Sequence, residues 1–174
     1  SLTDGTPLVT RAGHGRGSVV LFHVTANAEW SSLPLSGLFV QMLDRLLRRS
    51  IAGQMVADVP VGAFLSGGVV SSAVVAMMGQ LSDDPVNTCC ISFGDPAFNE
   101  SQFAQQVADR YRTRHHVSEV DPDDFSLVEK LPYFYDEPFA DSSAMPTYRV
   151  CELARQRVTV ALSGDGGDEN FIGY

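Results

Sequence analysis

Two short apolar runs in this chain each end in a glycine-rich loop, and that pairing restricts the fold more than any other feature. The first is "VGAFLSGGVVSS", residues 61–72, and the second is "VTVALSGDGGDE", residues 158–169. Apolar and β-branched runs of this length read as buried strands, and the glycines as turns out of them. Between the two, "VNTCCISF" and "RHHVSEV" read as further strands. "SSAVVAMMGQL", "ESQFAQQVADRY" with Asn99 as its cap, and "TYRVCELARQR" read as helices. Alternation of this kind predicts an α/β fold with a mainly parallel sheet and helices on both faces. Such sheets bind ligands beyond the carboxyl ends of their strands, near a topological switch point. If the two strands are neighbours, the loops at 66–68 and 164–167 face one pocket.

The rest of the chain is less regular. Residues 1–18 read as turns and a short strand, followed by a buried strand in "SVVLFHVTA". From Leu38 the apolar residues recur at helical spacing: Leu38, Val40, Met42, Leu43, Leu46, Leu47 and Ile51. Arg45, Arg48 and Arg49 fall late in that helix, where its dipole favours them. "DPDDFSLVEKL" begins with acids and turns helical, and "PYFYDEPFADSSAMP" reads as a long irregular loop.

At 174 residues and 44% hydrophobic content the chain can bury a core. Its apolar runs break well short of the roughly 18 residues a membrane span needs, so none is expected. Net charge is −9, unevenly spread: residues 1–54 carry +2 and residues 55–174 carry −11. A nucleic-acid binder usually shows a basic face, so no nucleic-acid partner is expected. Cys89, Cys90 and Cys151 lack CxxC spacing, and the first two, adjacent on a strand, point to opposite faces. They read as small buried hydrophobes in a reducing compartment, which suits the cytoplasm.

The glycines of the first loop, Gly67 and Gly68, let backbone N–H groups approach an anion, and the following helix adds its own N-terminal amides. Ser66, Ser71 and Ser72 bring hydroxyls. This is not a Walker loop, since the chain's single lysine is Lys130. It is not a G-x-S-x-G elbow, because Phe64 stands two before Ser66. On these residues alone a phosphate loop and a plain strand-to-helix turn remain open. The second loop offers Asp165, Asp168 and Glu169, hard ligands suited to magnesium, or else a merely acidic turn. Asp136, Glu137, Asp141, Ser142 and Ser143 could recognise a substrate ammonium or carboxylate, or cap the next helix. Arg112, Arg114, His115 and His116 lack metal-ligand spacing and read as surface.

Taken in order, "DVPVGAFLSGGVVSS", "TCCISFGDPAFNESQFAQQVADRYRTRHH", "YDEPFADSSAMPTY" and "VALSGDGGDENFIGY" resemble the synthetase domain of glutamine-hydrolysing asparagine synthetases, over roughly residues 45–174. That domain belongs to the pyrophosphatase-loop, adenine nucleotide alpha hydrolase-like ATP enzymes. The resemblance implies adenylation of the aspartate side chain by ATP with release of pyrophosphate, then attack by ammonia to give asparagine and AMP. By motif position, Leu65, Ser66, Gly67, Gly68, Ser71, Ser72, Ile91, Ser163 and Gly164 would line the ATP site. Asp165 would act in forming the adenylate, and Asp168 would hold magnesium. A homodimer in the parent protein is compatible with this.

Four departures qualify the resemblance. The family's first loop reads SGGxDS, and its metal-binding acid is Val70 here. The family's downstream lysine has no counterpart before Tyr174. The glutaminase domain that would supply ammonia from glutamine is absent, so a fragmentary or impaired synthetase is expected. Residues 1 to about 45 instead resemble a segment of bacterial membrane-associated BatA-type proteins, which sets a boundary between residues 1–44 and 45–174. Two alternatives stand beside this: a non-catalytic nucleotide-binding module, and another adenylating amide synthetase such as a β-lactam-forming one. Relatives of the last kind often carry Tyr where Asp165 stands.

Overall fold

The computed structural model describes residues 9–15, 17–22, 37–94, 99–121, 125–136 and 141–166. The chain divides into two compact units, Ser1–Leu47 and Arg48–Tyr174. In the first, β1 (Val9–His14) pairs antiparallel with β2 (Gly17–Phe22), and Gly15 takes the turn at φ 59°. The short strand expected within residues 1–18 is β1. The strand expected from Ser18 belongs to this separate hairpin and not to the parallel sheet.

Helix α1 (Gly37–Gln54) runs from the first unit into the second. It extends past the arginines, so Arg45, Arg48 and Arg49 lie mid-helix and the last turn holds no basic residue. The expected dipole pairing is absent for that reason. Its apolar stripe is buried at Ile51, whereas Leu38, Val40 and Leu46 are exposed. No helix of the described residues is long and apolar enough to cross a membrane.

The second unit is built on β3 (Val61–Phe64), β4 (Asn87–Phe93), β5 (Arg114–Val120) and β6 (Val160–Leu162), all parallel, in the order β5-β4-β3-β6. After β3 the chain steps outward through α2 (Val69–Leu81), β4 and α3 (Ser101–Tyr111) to β5. It then returns through α4 (Leu131–Tyr135) and α5 (Ala144–Arg155) and lays β6 on the other side of β3. The strand order thus reverses between β3 and β6, which makes that gap the switch point.

Helices cover both faces, as expected. Val75 and Met78 of α2 and Ala104 and Ala108 of α3 pack with Ile51 over Ala63, Leu65, Cys90 and Leu162. On the opposite face Ala154 and Val158 meet Cys89. Cys89 and Cys90 therefore serve different cores, as the strand period requires. Cys151 departs from the expectation of burial: it is exposed on α5. The N-cap of α3 is Glu100 and not the expected Asn99, which stands one residue earlier and accepts the Ser101 N–H on its Oδ1 at 3.0 Å.

The long loop expected over residues 132–146 is partly helical. Pro132 stands in the first turn of α4, and α5 already includes Pro146 in its own first turn. Proline breaks a helix only past the first turn, because the leading N–H groups have no partner to lose. Asp141 Oδ1 accepts the Ser143 N–H at 2.8 Å just ahead of α5. That bond holds the Asp141 carboxyl below its ordinary range. The bond ends at Ser143, the N-cap of α5, which has no side-chain cap of its own, and neither of the two roles left open for these residues is decided by it.

His115 and His116 do not lie on the surface as expected. Each has a buried Nε2 without a hydrogen-bond partner, while His115 Nδ1 lies 2.9 Å from Oγ1 of the fully buried Thr88. Burial lowers both imidazoles below their ordinary value, helped by His116 at His115 and by Arg157 at His116, while Asp109 opposes at His115.

Two expectations follow. A Cβ at Gly62 would lie 2.6 Å from Asn87 O and 2.9 Å from Val158 Cγ1. Gly62→Ala should therefore cost roughly 1–3 kcal/mol in a urea melt, as overpacking does. The lowered imidazoles make the unfolded chain take up protons before the folded one, so stability should fall as pH drops below about 6.5. Replacing both histidines with glutamine should flatten that part of the pH profile.

Candidate functional site

The strands β3 and β6 pair in register from Val61↔Val160 to Ala63↔Leu162, so both glycine loops leave the same edge of the sheet side by side. Together with the end of β4 and the start of α5 they enclose a cavity of about 460 Å³. Its lining includes Leu65, Ser66, Gly68, Ser71, Ile91, Ser163, Gly164 and Asp165 from the residues singled out in the sequence. Gly67 and Ser72 do not line it. Asp168 lies outside the described residues, as do Glu169 and Glu137.

Gly67 has a structural task behind the cavity. It sits at φ 90°, and a Cβ there would fall 2.9 Å from Glu100 O and 2.9 Å from Phe103 Cβ. Only glycine meets both demands, the left-handed backbone and the contact with the start of α3. Gly68 then caps α2 in extended conformation, with no side chain bonded to the helix end. Ser72 N–H donates to Gly68 O at 3.0 Å, the first bond of the helix. The amides of Val69, Val70 and Ser71 are left without intrahelical partners, which is the usual basis of an anion site.

The serines form a closed circuit. Gly68 N–H donates to Ser66 Oγ at 3.3 Å, and Ser71 Oγ donates to Gly68 O at 3.1 Å. The 3.0 Å bond between Ser66 Oγ and Ser71 Oγ must then run from Ser66 to Ser71, because Ser71 has one proton to give. Both hydroxyl protons are engaged inside the loop, and the backbone amides are what it turns outward. Leu65 anchors the loop: its side chain is fully buried and its N–H donates to Cys89 O at 2.9 Å.

The second loop is stiffened in a similar way. Asp165 N–H donates to Ser163 Oγ at 3.1 Å, and Gly166 takes φ 80°. Asp165 is exposed at the rim. Across the cavity Glu100 supplies another carboxylate, and none of the described lining residues is Lys, Arg or His. No group of three His, Cys, Asp or Glu able to hold a metal occurs among the described residues.

Sequence reasoning missed the apolar half of this cavity: Phe64, Phe93, Pro146, Thr147 and Val150. Three of these belong to α5, whose first turn had been read as loop. Cys89 and Cys90 also reach the lining. Burial raises both thiols, Cys90 to about 11 with Glu100 adding to the effect, so neither is a ready nucleophile.

Comparison with known proteins joins this geometry to a family. Residues 42–174 match the family model for asparagine synthase. A putative glutamine-hydrolysing asparagine synthetase 2 of Methanocaldococcus jannaschii is 46% identical over 132 residues, which is 75% of this chain and 25% of that protein. Asparagine synthetase 1 of Bacillus subtilis is 36% identical over 126 residues, 72% of this chain and 20% of that one. The chain thus spans a quarter or less of the length of these curated relatives. In fold it is similar to an NH3-dependent NAD synthetase from Campylobacter jejuni, with a TM-score of 0.52 at 14% identity, over 77% of this chain and 60% of that one. With its paired glycine loops and a family match that covers most of its length, the chain belongs to the asparagine synthase family.

Proposed function

We propose that this chain carries the ATP-binding part of an asparagine synthetase-type ligase. The observation that carries the reading is the meeting of both glycine loops at one cavity, at the β3/β6 switch point. Family membership supports it as well. In this reading the α2 amides of the Val69–Ser71 turn and the backbone of Gly68 hold the β- and γ-phosphates. The apolar wall of Phe64, Ile91, Phe93 and Val150 takes the nucleoside.

A side-chain carboxylate oxygen of aspartate attacks the α-phosphorus, the bond to the bridging oxygen breaks, and pyrophosphate leaves with the electron pair. Ammonia then attacks the acyl carbon, the acyl–oxygen bond breaks, AMP departs and the nitrogen loses a proton. Asp165 at the rim is the carboxylate we assign to adenylate formation. Leu65, Ser66, Gly67, Ser71, Ser72, Ser163 and Gly164 shape or support the phosphate loops.

Magnesium would offset charge between the phosphates when bound. The described residues offer it Asp165 and Glu100 but no three-ligand cluster, and Asp168 remains a proposed ligand. Val70 is the observation that favours a second reading, a module that binds nucleotide and does not turn it over. We also keep the expectation that residues 1–44 are a segment of separate origin, that the parent is cytoplasmic and that it forms a homodimer.

The test is exchange of labelled pyrophosphate into ATP, with and without aspartate. Aspartate-dependent exchange is expected, rising by about 10²-fold in Val70→Asp if that acid stabilises the transition state as comparable charged groups do. Calorimetry with ATP separates the two readings: binding insensitive to magnesium and no exchange supports the second. Absence of nucleotide binding in both the unaltered protein and Val70→Asp refutes both. Gly67→Ala should weaken ATP binding by about 1–3 kcal/mol through backbone strain, read by the same titration.

A further inference from the structure

Val70 is not simply an acid lost from the phosphate loop. A Cβ built at Gly164 would lie 3.1 Å from Val70 Cγ1, 2.9 Å from Ser71 N and 3.3 Å from Ser71 Cα. The second loop therefore presses its glycine backbone directly onto the first turn of α2, and the branched side chain of Val70 is part of what it presses on. The neighbouring Val69 shows the contrast: it is 87% exposed, while Val70 is partly buried. The register between β3 and β6 ends at Ala63↔Leu162, so β-ladder bonds do not hold Gly164 in place.

We propose that Val70 is a positioning residue, an apolar clasp that holds the loop of residues 163–166 against α2 before any ligand or cation arrives. A carboxylate at this position would be drawn towards a metal and would leave the loop contact dependent on one. A branched hydrocarbon makes the contact through dispersion and exclusion of water, with no ion needed. The closed loop keeps Asp165 at the cavity rim, beside the unpaired amides of α2. That consequence for nucleotide binding rests on the function proposed above, whereas the clasp itself is a property of the free protein.

Hydrogen exchange without ligand tests the clasp separately from that function. Val70→Ala removes the two γ-methyl groups, and the amides of Gly164, Asp165 and Gly166 should exchange roughly three- to tenfold faster, the factor expected for losing about one methylene of buried contact. Val70→Ile keeps the branched, wholly apolar side chain and should preserve most of the protection. The amides of β4 report whether each variant is folded and should stay unchanged. In Gly164→Ala, where the methyl has no room, the same three amides should also open. Unchanged exchange at residues 164–166 in a folded Val70→Ala overturns the clasp, as does loss of protection in Val70→Ile equal to that in Val70→Ala. Pyrophosphate titration of the same proteins then addresses the functional reading: weaker binding in Val70→Ala at all magnesium concentrations supports the clasp's role there. Equal binding despite a loosened loop refutes that role and leaves the clasp standing.

Discussion

The parallel pairing of β3 with β6 is the contact on which the site depends. Three register pairs, from Val61↔Val160 to Ala63↔Leu162, bring together segments about a hundred residues apart in the chain. Every feature of the cavity follows from that adjacency. Both strands point the same way, so both loops emerge at one end. The chain leaves β3 towards β4 and comes back to β6 from the far side, which opens a crevice between the loops. Gly62 fits this crowding because it has no Cβ, which would meet both Asn87 O and the Val158 side chain.

The electrostatics of the crevice are unusual for an anion site. Its described lining has the carboxylates of Glu100 and Asp165 and no basic side chain. In the proposed function, attraction for phosphate comes from backbone amides and the helix end, which act at short range and in fixed directions. Such a site depends on geometry far more than on charge. That explains why glycine is placed where it is, why the serine hydroxyls are locked into a ring, and why contact between the loops matters.

Much of this was legible in the sequence. The alternation of strands and helices, the opposite facing of Cys89 and Cys90 and the pairing of two glycine loops all follow from period and turn chemistry, which are local. What the sequence concealed was non-local or depended on element ends. The strand from Ser18 pairs with the short strand before it in a separate hairpin, and the sequence pattern did not reveal that pairing. The start of α5 was hidden by Pro146, which is harmless in a first turn. Thr147 and Val150 fall inside the helix read from Thr147, but nothing in their spacing says that this helix turns them towards the glycine loops. His115 and His116 looked polar and superficial, yet helices packed on each face of the sheet buried their ring nitrogens. Val70 read as a deficit because its neighbour in space, Gly164, lies far along the chain.

The central claim is that the two loops form one anion-binding unit. Its most direct test is a titration of the isotopically labelled protein with inorganic pyrophosphate, followed through backbone amide resonances. The amides of Gly68, Val69 and Val70 should shift together with those of Gly164 and Asp165, with a single midpoint. Shifts confined to one loop, or different midpoints for the two, would contradict it.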